Sequence, residues 1–379
     1  RGKIRAMMCL IYHHATHDRF YAARDLLLMS HLQEQVHPTY MDVPCMILFN
    51  RMMAQLGLCA FRCGLIREAH NCLREIAAQG HAKELLAQGL SKDRFHMDRS
   101  KEEEREERRR QVPYHMHINL ELLEACHLIA AMLLEVPNLA AGKHDPRRRR
   151  ISVSYARQLD AIKGKTFVGP PEHTRDTVMA AGMALAEGNW RRCGRLICGL
   201  RVWDRWEALG STAGGDAEGD PAGGSGSLGV GVEGTVKGES VKAMIVRHVK
   251  QEGLRTYLFS YATHYESISQ QHLVDMFELP RNVVHSIVSK MMIAEELHAS
   301  WDQPTGAIML HRVEPSRLQQ LALQFADKVS SVVTDNERAM EARTNGYADD
   351  GRGRGGGWRK FDRWDDRGGG RGGRGGGRG

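Results

Sequence analysis

Apolar residues recur at three- and four-residue spacing along most of this chain, the spacing that lines one face of an α-helix. Ile4, Met7, Met8 and Ile11 begin the pattern, and Ala22, Ala23, Leu26 and Leu27 carry it through a second predicted helix at 20–31. After turns at His37-Pro38 and Asp42-Val43-Pro44, helices are predicted at 45–63 and 66–79, on either side of Gly64. Leu120, Leu123, Ile129, Ala130 and Leu133 form a thick stripe that should end before Pro137. Gly169-Pro170-Pro171-Glu172 is a rigid turn leading to a helix at 174–187.

Several of these helices pair in a common frame. Leu56, Gly57, Ala60, Gly64, Ala69, Leu73 and Ile76 take the leucine, close-contact glycine, small, turn and second-helix apolar positions of a tetratricopeptide-type hairpin. Leu10, Ile11, His14, Asp18, Ala23 and Leu27 repeat it, as do Ala180, Ala181, Ala184, Gly188, Cys193 and Ile197. No single pair can bury its apolar face, so a right-handed stacked superhelix is expected, with unrelated helical hairpins as the alternative.

From 241 the pattern changes scale. A helix is predicted at 241–265 with Ile245, Val249, Leu254, Leu258 and Phe259 inward. Ser267-Ile268-Ser269 is extended, with Ser269 placed to cap a short helix ending at Phe277. Val283, Val284, Ile287, Val288 and Met291 stripe a second helix reaching Glu295-Glu296, and a two-stranded hairpin follows at 297–313. Helix–turn–helix plus hairpin is a winged-helix arrangement. A final helix at 315–343 carries Leu318, Leu321, Ala322, Phe325 and Val329. The fold class is therefore mainly α: a helical-repeat (TPR-like) right-handed superhelix followed by a winged helix.

Composition adds the divisions. The chain has 379 residues, of which 40 are Gly, and the glycines cluster. Residues 210–238 read as a flexible Gly-rich insert and 345–379 as a disordered Arg-Gly-Gly-type tail. Residues 91–110 are almost wholly charged, with the two signs nearly balanced, and read as a solvated helix or excursion. The remaining divisions are helical repeats at 1–90 and 111–209, the last superhelix helix at 239–266, the winged helix at 267–313 and a bundle helix at 315–343. The net charge of +7 concentrates in the tail, leaving a nearly neutral body. Arg147-Arg148-Arg149-Arg150 reads as plain surface more than as a phosphate contact. Eight Cys in helical stretches fit reduced thiols better than a disulfide scaffold. No run of about 18 uncharged apolar residues stands out, which argues against a membrane span. The chain opens at Arg1 inside a helical pattern, as expected of a piece of a longer polypeptide.

Catalytic chemistry finds no foothold. The glycines at 210–238 lack the Lys and the strand–helix context of a phosphate loop. His13, His14 and His17, the pair His115 and His117, and the cysteines at 59, 63, 193 and 198 lack metal-site spacing. No catalytic, cofactor or metal residues are assigned, no cofactor or small-molecule substrate is expected, and Trp190, Trp203 and Trp206 read as packing plugs.

Two surfaces remain. In the tail, Arg352, Arg354, Arg359, Arg363, Arg367, Arg371, Arg374 and Arg378 interleave with Trp358, Phe361 and Trp364. Arginine holds phosphate, aromatic rings stack on bases and glycine lets the backbone conform, so this tail is a candidate RNA binder; a solubilising tail is the alternative. In the winged helix, Arg281, Asn282, His285 and Lys290 face Glu295 and Glu296, too sparsely basic for base readout, which favours protein contact or packing. His298, Ser300, Ile308, Leu310 and His311 of the hairpin, with Leu318, Leu321 and Phe325, are the candidate interface with partner subunits, because an exposed hairpin leaves backbone groups unpaired.

The helical array plus winged helix resembles a PCI domain, the scaffold module shared by the proteasome lid, the COP9 signalosome and translation initiation factor three. Segments 11–32, 55–61 (QLGLCAF), 82–89, 108–135, 254–261 (LRTYLFSY), 275–279 (DMFEL), 284–297 and 302–305 (DQPT) are similar to the family of that factor's c subunits. The resemblance covers roughly 1–209 and 239–347; the Gly-rich insert and the Arg-Gly end depart from it. It implies a cytoplasmic scaffold protein, the C-terminal part of a longer chain, joined to the a and e subunits. The complex would bind the small ribosomal subunit and rRNA or mRNA, supporting preinitiation-complex assembly and mRNA recruitment. Other PCI complexes, or a winged-helix nucleic-acid-binding regulator, are the alternatives.

Overall fold

The computed structural model describes residues 2–35, 42–78, 81–89, 101–142, 149–166, 169–203, 206, 241–311 and 317–348. The Gly-rich insert and nearly all of the Arg-Gly tail lie outside these residues. Two compact units emerge, Arg1–Arg312 and Val313–Gly379. The protein is mainly α, with helical pairs followed by a winged helix.

The pairs are α1 (Gly2–Thr16) with α2 (Phe20–Met29), α4 (Val43–Arg62) with α5 (Ile66–Ala78), and α10 (Thr174–Ala186) with α11 (Trp190–Cys198). Their turns share one geometry. Asp18, Gly64 and Gly188 adopt φ of 57°, 75° and 83°. In each turn the next residue's N–H reaches back five residues: Arg19 to the His14 carbonyl at 3.0 Å, Leu65 to Ala60 and Asn189 to Ala184, both at 2.9 Å. This is the left-handed helix stop that satisfies orphan carbonyls and reverses the chain. Aspartate tolerates that conformation better than most L-residues. Asp18 also accepts from Arg62 Nε at 2.5 Å, which ties the first hairpin to the second.

Gly57 shows why the frame demands a small residue. A Cβ there would lie 2.6 Å from Leu73 Cδ2, so α4 and α5 approach as closely as a bare backbone allows. Leu56, Ala60, Ala69, Leu73 and Ile76 are all buried in this contact.

Short helices α3 (Leu32–Gln35), α6 (Ala82–Leu85) and α7 (Lys101–Arg110) precede α8 (Leu120–Gly142), which packs against α5, α10 and α12 (Val241–Tyr261). α8 is apolar on nearly every side, as a helix enclosed by neighbours must be. It runs through Pro137 to Gly142, beyond the stop expected from the sequence. Burial of Val136, Ala140 and Ala141 offsets the lost hydrogen bond, about 3 kcal/mol for an interior proline. α9 (Val153–Lys163) follows. The chain entering it is held from α8: Glu135 accepts the N–H groups of Ile151 and of the N-cap Ser152 at 2.8 and 2.9 Å. Burial raises the Glu135 pKa, while these hydrogen bonds oppose the rise.

α4 has the length and mean apolarity of a membrane-crossing helix, although Arg51 interrupts its uncharged run. It is instead a core helix between α1 and α5, with Arg51 buried within it and bonded to the Met116 carbonyl at 2.5 Å. In the other unit, α15 (Arg317–Ala348) is a single helix of 32 residues, continuing past the expected end at 343.

Candidate functional site

The winged helix comprises β1 (Ser267–Ser269), α13 (Gln270–Phe277), α14 (Arg281–Ile293), β2 (Ala299–Asp302) and β3 (Ala307–Leu310). Its core is Leu273, Phe277, Val284, Val288, Met291 and Ile308, continuous with Leu254 and Leu258 of α12 and with Ala140 and Ala141 of α8. The last turns of α8 thus enter the winged-helix core, and α12 spans both cores. Trp190 of α11 adds a polar tie, donating through Nε1 to the Met276 carbonyl at 2.9 Å.

The sheet corrects the two-stranded reading. Its order is β1-β3-β2, so β3 is central and its backbone groups pair on both sides. Ile308 is fully buried in the core and so cannot contact a partner. Leu310 is half-buried, and its N–H bonds the Glu266 carbonyl at 2.9 Å. His298, Ser300 and His311 are exposed. They bond among themselves: the His311 N–H donates to the His298 carbonyl at 2.9 Å, and the His311 ring lies 3.0 Å from Ser300 Oγ. β2, carrying Ser300, has the outer edge on that side.

Side chains of the second helix are largely spent inside the domain. Arg281 Nε donates to Gln270 Oε1 at 2.9 Å and Gln270 Nε2 returns a bond to the Arg281 carbonyl at 3.1 Å, which joins the starts of α13 and α14. The His285 ring stacks on Trp301 at 4.5 Å, and Trp301 Nε1 donates to Ser289 Oγ at 3.1 Å. Asn282 and Lys290 face solvent. α14 stops at Ile293, so Glu295 and Glu296 fall in the following turn, where Glu295 has a positive φ. Ser269 sits at the α13 N-cap without a side-chain capping bond.

Two charged clusters brace the joint. Arg255 on α12 bonds Glu252 at 3.1 Å and Glu296 at 3.0 Å. Burial raises the Glu252 pKa against the pull of Arg255; Arg255 is itself held charged, its two carboxylates overcoming burial. Glu278 accepts from Arg191 Nη2 at 2.7 Å and Lys250 Nζ at 3.1 Å, and these bonds, Lys250's first, depress its pKa. Sequence reading missed both clusters, because Glu296 lies 41 residues from Arg255, and Glu278 lies 28 and 87 residues from Lys250 and Arg191. Glu135 did leave a signal, a lone carboxylate in an otherwise apolar run.

Trp203 and Trp206 stack on Phe61 at 6.2 and 6.0 Å and are buried, plugging the helical pairs. Among the described residues, no three His, Cys, Asp or Glu side chains converge as a metal site would require. The tail residues Arg352, Arg354, Trp358, Arg359, Phe361, Arg363, Trp364, Arg367, Arg371, Arg374 and Arg378 lie outside the described residues. On α15, Leu318, Leu321 and Phe325 are 78%, 58% and 70% exposed.

Comparison with known proteins adds what geometry alone does not. Residues 1–146 match the family described as eukaryotic translation initiation factor 3 subunit 8 N-terminus, residues 238–312 the PCI domain, and residues 319–343 the EIF3CL-like C-terminal domain. The chain is 48% identical over 359 residues to the C subunit of eukaryotic translation initiation factor 3 from Bombyx mori, covering 94% of this chain and 37% of that protein. It is 45% identical over 351 residues to the same protein of Culex quinquefasciatus, covering 92% and 35%. For Danio rerio the figures are 46% over 346 residues, covering 90% and 34%. The chain thus spans about a third of the length of the curated relatives it matches.

Proposed function

The chain is a relative of the C subunit of eukaryotic translation initiation factor 3 over nine-tenths of its own length and carries a PCI domain, and from this we propose that it is a non-enzymatic scaffold subunit of that initiation factor complex. The carrying observation is the 45–48% identity, which extends across helical pairs and winged helix alike. In this reading it joins the other subunits, especially a and e, on the small ribosomal subunit in the cytoplasm. There it supports 43S preinitiation complex assembly and mRNA recruitment. Purification of the tagged protein from cells tests this. Co-sedimentation with small ribosomal subunits and the other initiation factor subunits is expected; co-purification with a proteasome lid or signalosome instead overturns it.

Contact with partner subunits is assigned to the exposed winged-helix residues His298, Ser300 and His311, the half-buried Leu310, and Leu318, Leu321 and Phe325 of α15. An apolar stripe open to water on a long helix favours burial against other helices. The tail arginines and aromatics are assigned to weakly sequence-dependent RNA contact. Truncation at Asn345 should weaken RNA binding at least about tenfold and flatten its salt dependence, as phosphate contacts release counterions. Arg281→Ala with Lys290→Ala should change little. The reverse ranking would move RNA contact into the winged helix.

A further inference from the structure

Arg149 and Arg150 end the four-arginine run, and the backbone there is held from the core. Asn138, one turn beyond Glu135 on α8, donates through Nδ2 to the Arg149 carbonyl at 3.1 Å, while Glu135 holds the Ile151 and Ser152 N–H groups. Both clamping side chains are buried. The two arginine side chains are exposed, and α9 continues the surface with Arg157 and Lys163, followed by Lys165. Residues 149–166 thus present five exposed cations against one acid, Asp160, on a body that is otherwise close to neutral. Asp160 pairs with Arg150 at 3.4 Å. Among the described residues, no carboxylate is bonded to the side chain of Arg149, Arg157, Lys163 or Lys165.

We propose that this surface binds the phosphate backbone of double-helical RNA. Arginine forks match phosphate oxygens in pairs, and a backbone already fixed by Glu135 and Asn138 loses less freedom when they do so. α9 is 11 residues long, about 16 Å, which lets its cations follow several phosphates. The side chains present decide between ligands. Tyr155 is the one aromatic residue of 149–166 and is fully buried, so the surface lacks the stacking platform that single strands use, whereas a duplex is held by its backbone and shape. Ile151 and Val153 are exposed at one end only, and beyond them the exposed positions of α9 are charged or small. That is too little for the apolar centre of a protein interface. The proposal rests on the scaffold reading above, in which ribosomal RNA is at hand, and it adds a contact built differently from the aromatic-bearing tail.

The test is fluorescence anisotropy of the full chain with a fluorescein-labelled RNA duplex of about 16 base pairs. Controls are single-stranded oligo(U) of equal length and a labelled peptide of Asp and Glu. The duplex should bind. Arg149→Glu with Arg157→Glu should weaken duplex binding at least about tenfold and lower its salt slope by roughly two, one for each lost phosphate contact. Oligo(U) binding should move less than about twofold in the same variant. Lys163→Glu with Lys165→Glu, remote from the clamp, should weaken the duplex at least about threefold. Melting curves establish that the variants fold, and if the first pair does not, the second carries the test. Absence of duplex binding overturns the proposal, as does a duplex affinity that neither pair moves, which binding by the Arg-rich 349–379 segment would give. An equal loss for duplex and oligo(U) overturns the assignment to double-helical RNA. Peptide binding weakened by these substitutions, with the duplex unaffected, would reassign the surface to a protein partner. The scaffold reading is judged separately, by which subunits co-purify with the tagged protein.

Discussion

α8 and α15 are both long helices with apolar stripes, yet they meet opposite surroundings. In α8, Leu123, Ile129 and Leu133 are at most 1% exposed, enclosed by neighbouring helices. In α15, Leu318, Leu321 and Phe325 are more than half exposed, and Val332 and Met340 continue the open surface. Each buried leucine contributes roughly 1.5–3 kcal/mol relative to exposure. α8 therefore draws its stability from within the chain, whereas the stripe on α15 holds that contribution unrealised until something covers it. Damage to the first should unfold the body, and damage to the second should change assembly alone.

The largest expected effect breaks the enclosed side. Trp203→Ala removes a fully buried ring stacked on Phe61 and Trp206 and should cost roughly 3–5 kcal/mol, read from chemical denaturation. Acid acts on the same core. His70 and His127 stack at 5.2 Å between α5 and α8, and both have lowered pKa values through burial; that of His127 falls to about 4, with His70 contributing second. A depressed histidine favours its neutral form in the fold. Its stabilisation is intact above the unfolded value near 6.5 and is lost as pH falls from there toward 4, to roughly 3 kcal/mol for His127. His127→Phe should flatten the melting temperature between pH 7 and 4.5, and an unchanged slope would reject the pair as the cause. Gly57→Ala should cost about 1–3 kcal/mol, because the new methyl meets buried Leu73 with nowhere to move. The enclosed hairpin is wrongly described if this variant melts like the parent.

What the sequence disclosed follows from the same contrast. The hairpins were legible because close helix approach needs small residues at fixed steps, and Gly57, Gly64 and Gly188 stand there. Asp18 filled the same turn position less conspicuously, as its left-handed φ is a property of the fold. Pro137 misled because proline normally ends a helix, and only the enclosure of α8 makes it tolerable. β1 was recognised as extended, but its pairing with β3 joins residues about forty apart in sequence and carries no periodic signal. Ile308 looked like an edge residue for that reason and is core.

The smallest effect on stability carries the most weight for assembly. Leu321→Asp with Phe325→Asp touches only exposed side chains and should shift unfolding free energy by no more than about 0.5 kcal/mol. The decisive measurement is co-purification of this variant beside the parent from cells, with the melting curve of each. A scaffold whose α15 is a docking helix loses its partner subunits while melting unchanged. A variant that melts unchanged and still brings down the full set of initiation factor subunits would contradict the account.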